Sequence, residues 1–101
     1  MKKREEIWQK VFVKNAEVIS RKIAGETILV PVRGRLADMR RIFTLNPVAE
    51  YIWDRIDGKN NIQRIGDSIP AVFDVTHESA EHDLDEFVSA LLQENLITEV
   101  V

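Results

Sequence analysis

The sequence predicts an α+β fold: a winged helix-turn-helix in which a small three-stranded antiparallel sheet is followed by three helices. Three observations predict it. Val18–Ile23 and Thr27–Val32 are rich in Val and Ile and flank Ala24-Gly25-Glu26, a short turn containing Gly, as the arms of a β-hairpin do. Arg40–Leu45 alternates as a third strand, with Arg41, Phe43 and Leu45 on one face and Arg40, Ile42 and Thr44 on the other. Beyond it the apolar residues switch to helical spacing in three stretches joined by short turns.

Residues 1–14 satisfy two patterns at once. Ile7, Trp8, Val11 and Phe12 fit a helical face, whereas Val11 and Val13 fit an edge strand. In the hairpin, Pro31 falls near a strand end, where a missing donor is tolerated. Gly34 falls in a polar loop. The first helix, within residues 45–58, has both ends written into it. Asn46 is suited to capping the free N–H groups, Pro47 to the first helical position, and Glu50 to the positive end of the dipole. Gly58 is expected to close the helix in the left-handed conformation. Val48, Ala49, Ile52, Trp53 and Ile56 share one face, and Trp53 reads as core.

The second helix is expected over about Asn61–Ile69, with Ile62, Ile65 and Ile69 as its stripe and Pro70 as its stop, because the proline ring clashes with the preceding turn. Thr76 reads as the cap of the third and longest helix, with Glu78 in its first turn. Ala80, Leu84, Phe87, Val88, Leu91 and Leu92 recur at helical spacing up to about Asn95. Leu96–Val101 reads as a final short strand.

A chain of 101 residues makes one domain, and its 45 % hydrophobic content suffices for a core. No run of 18 apolar residues is present, which excludes a membrane-spanning helix. The charged start, Met1-Lys2-Lys3-Arg4-Glu5-Glu6, is not followed by an apolar signal core, so a cytoplasmic protein is expected. Without cysteine there is no disulfide, thiol nucleophile or thiolate-held cluster. The net charge of −3 divides unevenly: residues 1–41 carry eleven Lys/Arg against five Asp/Glu, and residues 42–101 carry three against twelve. A basic half of this kind attracts an acidic partner, or the two halves simply attract each other.

Chemical motifs are weak. His77 with Glu81, and Glu78 with His82, have the four-residue spacing of helical zinc ligands, but the stretch lacks the second His of a metalloprotease helix and reads as a solvated helix start. Ser68, Ser79 and Ser89 have no triad context, and the four glycines form no phosphate loop. Neither a catalytic role nor a cofactor is expected. A helix-turn-helix layout invites a DNA-binding regulator as the alternative, but helix two offers only Gln63 and Arg64 as readers. Helix three carries five acids from Glu78 to Glu86 and no Lys or Arg, where DNA binding depends on several basic contacts to phosphate. An exposed third strand beside a long amphipathic helix instead makes a groove for a peptide, which adds a strand to the free edge. The same edge could pair with a second copy, so a dimer is open.

Leu45-Asn46-Pro47-Val48-Ala49, then Ile52-Trp53 and Ile56-Asp57-Gly58, resemble the signature of the PqqD-like family, that of pyrroloquinoline quinone biosynthesis protein D. The resemblance continues through Ile62, Ile65, Phe73-Asp74-Val75, Asp83-Leu84, Phe87-Val88, Leu91-Leu92 and Leu96-Ile97, and covers roughly Val11–Glu99. It implies a noncatalytic recognition element for ribosomally made, post-translationally modified peptides (RiPPs). Such an element acts as a peptide chaperone: it binds the leader of a precursor peptide and presents it to a modifying enzyme, often of the radical S-adenosylmethionine type. It implies a leader site at Arg40, Arg41, Ile42, Phe43 and Thr44 on the third strand and at Leu84, Phe87, Val88 and Leu91 on the third helix. Arg33, Arg35, Arg40 and Arg41 are then expected to attract acidic leader residues. Residues 1–14 stand apart as a basic, Trp-bearing N-terminal extension, with the recognition domain over 15–101. Pro70-Ala71-Val72 departs from the family, which usually keeps a longer second helix, and Ile52-Trp53 matches the broad family better than members dedicated to quinone biosynthesis. An adaptor between proteins is a third reading.

Overall fold

The computed structural model describes residues 6–31 and 43–100. A helical turn at residues 6–8 leads into β1 (Val11–Lys14), β2 (Val18–Ile23), β3 (Glu26–Pro31) and β4 (Phe43–Leu45). Helix α1 (Pro47–Arg55), strand β5 (Asp57–Asn61), helices α2 (Ile62–Val72) and α3 (His77–Gln93), and strand β6 (Ile97–Glu99) follow. The fold is mixed α+β, as expected. Its strands make two three-stranded antiparallel sheets rather than one: β2-β3-β4 and β5-β1-β6.

The first sheet begins as the hairpin read from the sequence. Ile23 faces Glu26 across a two-residue turn in which Ala24 and Gly25 both have positive φ, 53° and 84°. The right-handed twist of paired strands favours that turn geometry. β4 adds to β3 with Thr27 opposite Leu45 and Leu29 opposite Phe43. The strand expected over Arg40–Leu45 is thus observed from Phe43, and Arg40, Arg41 and Ile42 lie outside the described residues.

The second sheet joins strands far apart in sequence. β1 is its middle strand, pairing Val13 with Asp57 on one side and with Thr98 on the other. Trp8 and Phe12 are buried, so this part of the N-terminal stretch packs into the core. β5, Asp-Gly-Lys-Asn-Asn, is a poor strand by propensity, and in its place the sequence predicts the close of one helix at Gly58 and the start of the next near Asn61. Its register with β1 shifts between Val11 and Val13, which bulges the strand. Gly58 sits in that bulge at φ +81°, where a Cβ would come within 2.8 Å of Val13 Cγ1. Its left-handed backbone therefore serves the bulge. α1 instead ends at Arg55, with Ile56 as its C-cap.

The helix starts follow the sequence closely. Asn46 accepts from the Ala49 N–H at 2.8 Å, Asn61 from Arg64 at 2.8 Å and Thr76 from Ser79 at 3.0 Å. The expected end of α2 does not hold: the helix continues through Pro70 to Val72. Proline removes one hydrogen bond from the last turn, but the Phe73 N–H bonds the Ile69 carbonyl at 2.9 Å and Ile69 is fully buried, so the turn persists. α3 closes with Asn95 at φ +61°, where the Leu96 N–H reaches the Leu91 carbonyl and the Asn95 N–H reaches that of Leu92. The core joins Trp53, Ile52 and Ile56 of the α1 region to Ile62, Ile65 and Ile69 of α2 and Leu84, Val88 and Leu91 of α3. Gly66 lets α2 and α3 approach closely, since a Cβ there would lie 2.7 Å from Leu84 Cδ2. Among the described residues no helix is long and apolar enough to cross a membrane.

Candidate peptide-binding cleft

A cleft of about 310 Å³ opens between β4 and α3. Phe43, Thr44 and Leu45 form one wall, and Asp83, Glu86, Phe87 and Ala90 form the other. The N-terminal half of α1, through Val48, Ala49 and Ile52, closes the base together with the cap residue Asn46. The base is apolar because Phe43, Leu45 and Ile52 turn inward to the core, while Thr44 faces solvent between its two buried neighbours.

Three sets of contacts hold these walls in place. β4 is tied through β3 to α1, since Thr27 is buried and donates to Glu50 Oε2 at 3.0 Å, and Lys22 approaches the same carboxylate at 3.5 Å. On the far side of α1, the Tyr51 hydroxyl meets Ser68 Oγ at 2.8 Å and its ring packs edge-on to Phe73 at 5.5 Å. Arg55 covers the other part of that ring, 3.9 Å from its centre. Lys14 extends over Trp53 at 5.4 Å and donates to the Ile56 carbonyl at 2.9 Å, so the strand β1 grips the end of the same helix. Burial lowers the Lys14 pKa below its ordinary value, and nearby Asp54 and Asp57 oppose that shift.

In the order β2-β3-β4, β4 is the outermost strand, so among the described residues its second edge carries no strand partner. An extended segment entering the cleft could pair with that edge while its alternate side chains pack on the apolar base and on Phe87.

The structure divides the residues read from the sequence. Phe43, Thr44 and Phe87 line the cleft. Leu84, Val88 and Leu91 do not: each is at most 1 % exposed and faces the core from the other side of α3. Arg33, Arg35, Arg40, Arg41 and Ile42 lie outside the described residues. Sequence reasoning missed Asp83, Glu86 and Ala90, although with Phe87 they form an i, i+3, i+4, i+7 stripe beside the buried one. It also missed α1's share of the base. The pairs His77 with Glu81 and Glu78 with His82 both lie on α3, and no third ligand joins either pair as a set among the described residues. Instead His82, Asp83 and Glu86 bring their donor atoms within 4.8 Å of one another on a surface that is exposed or half-buried.

The family model described as Coenzyme PQQ synthesis protein D (PqqD) matches residues 26–97. The fold is similar to that of TbiB1 in complex with the TbiA(beta) leader peptide, at 25 % identity and a TM-score of 0.66, over 88 % of this chain and 98 % of that one. It is also similar in fold to a lasso peptide synthetase B1 complexed with the leader peptide, at 17 % identity and a TM-score of 0.67, over 86 % of this chain and 96 % of that one. Comparison with curated proteins gives no match.

Proposed function

Because this chain belongs to the PqqD family, we propose that it is a RiPP recognition element, a noncatalytic peptide chaperone that binds the leader of a ribosomally made precursor peptide. The observation that carries the reading is the cleft between the unpartnered edge of β4 and α3, in a fold shared with two proteins solved as leader-peptide complexes. The leader lies extended in the cleft and adds a strand to β4. Phe43, Thr44 and Phe87 touch it, and the reading assigns Arg40, Arg41 and Ile42, which lie outside the described residues, to the same ligand. Leu84, Val88 and Leu91 support α3 from the core. The sheet β2-β3-β4 acts as the wing of a winged helix-turn-helix, and Trp8 and Phe12, buried in the core, belong to the same folded unit as β2 to β6.

Holding the leader raises the effective concentration of the attached core peptide at a modifying enzyme, of the radical S-adenosylmethionine type, in the cytoplasm. The DNA-binding alternative finds no support in the comparisons, and the acidic face of α3 stands against it.

Titration of isotope-labelled protein with the leader of a precursor peptide encoded beside its gene tests the reading. Saturable shifts at Phe43–Leu45 and at residues 83–90 are expected. Phe87→Asp is expected to abolish them while the remaining spectrum stays folded, because Phe87 is only partly buried. Retained affinity in that variant would move the site elsewhere. Leu91→Asp is not a usable test, since a carboxylate at a fully buried position would unfold the protein.

A further inference from the structure

The two walls of the cleft differ in charge. On the β4 side the described residues are Phe43, Thr44 and Leu45, without a charged group. On the α3 side Asp83 and Glu86 both border the opening, and their carboxylate oxygens lie within 4.8 Å of each other. Neither takes part in the ion pairs found among the described residues, Lys10–Glu99 and Lys22–Glu50. Two carboxylates this close repel each other and gain from a cation between them, more so where the apolar base keeps part of the surrounding water away.

Phe87 and Ala90 follow on the same wall, one helical turn further on. Four residues of helix advance about 6 Å. An extended peptide advances about 6.7 Å between residues i and i+2, which share a face. The two repeats match closely enough for one guest residue to sit over the carboxylates while the next on that face sits over Phe87 and Ala90.

We propose that the acidic wall of α3 selects leaders carrying Lys or Arg two residues from an apolar anchor, the cation lying between Asp83 and Glu86 and the anchor on Phe87 and Ala90. This inference rests on the leader-binding reading and adds the chemistry of its ligand. The sequence predicts acidic leader residues opposite arginines that lie outside the described residues; the wall of α3 selects the opposite sign.

The test is to pan the full chain against a displayed library of short random peptides, then to measure the enriched peptides by fluorescence anisotropy with wild type and with a D83N/E86Q double variant. Both substitutions keep side-chain size and leave the core untouched. Peptides with Lys or Arg two positions from an aliphatic or aromatic residue are expected. Their affinity should fall about tenfold in the double variant, and wild-type binding should weaken with added salt. Peptides that shift cleft amides yet bind both proteins equally, or that carry no basic residue at that offset, would overturn the inference and leave leader binding standing. Absence of enrichment, or peptides that shift no amide of Phe43–Leu45 or residues 83–90, would remove the leader-binding reading and this inference with it.

Discussion

Asp57 shows how one side chain can hold a strand that its own sequence disfavours. Its carboxylate accepts from the backbone N–H groups of Lys59, at 2.9 Å, and Asn60, at 3.1 Å, and these bonds hold its pKa below the usual carboxylate value. A lowered pKa means that the charged form is favoured by folding. The stabilisation is therefore fully present above the unfolded-state pKa, about 3.9, and is lost as pH falls through the folded-state value. Asp57→Asn is expected to lower the urea midpoint near neutral pH and to lose that deficit below both pKa values; an equal deficit at acid pH would assign the effect to geometry instead of charge. Single residues were the most legible level of this molecule. Asn46, Pro47 and Thr76 declare helix starts because capping is local chemistry. The division of α3 into Phe87 on the cleft and Leu84, Val88 and Leu91 in the core was not legible, since a helical period marks an apolar face without saying which edge of it remains uncovered.

Among the elements, the hairpin is present but its turn is one residue shorter than the sequence predicts, with Glu26 paired to Ile23, and that turn carries a prediction. Ala24 occupies a left-handed position that costs an L residue with a Cβ about 1–2 kcal/mol, a cost that Asn largely avoids. Ala24→Asn, which creates the Asn-Gly pair preferred in such turns, is expected to raise stability by about 0.5–1 kcal/mol in thermal or urea unfolding. A decrease would show that the tip makes contacts beyond its backbone geometry. β5 and the tail of α2 were misread for related reasons. In β5 the pairing with β1 overrides Asp, Gly and Asn, residues that locally favour a turn. In α2 the burial of Ile69 and the bond from Phe73 outweigh the one hydrogen bond that Pro70 removes.

At the scale of the whole molecule, the α+β class follows from the change of hydrophobic period along the chain, whereas the two-sheet arrangement depends on partners far apart in sequence. Nothing near Val11–Lys14 signals residues 57–61 or 97–99 as its neighbours. The core that these sheets and helices share depends on the contact between Gly66 and Leu84. Leu84→Ala is expected to cost about 2–5 kcal/mol, a large part of the stability typical of a single domain, about 5–15 kcal/mol. Gly66→Ala alone should also destabilise by overpacking. Combined with Leu84→Ala it should cost less than the sum, because the vacated space accepts the new methyl group. Strict additivity in denaturant unfolding would show that the helices adjust independently.

The central position of β1 also sets the order of events in synthesis. Strand β1 leaves the ribosome early, yet one of its partners lies at residues 57–61 and the other at 97–99. Its edges remain open while the residues between it and these partners are being made, and contacts of such long sequence separation form slowly. The second sheet can close only once residue 99 has emerged, and the interval between the emergence of β1 and that point is when β1 is most exposed to mispairing.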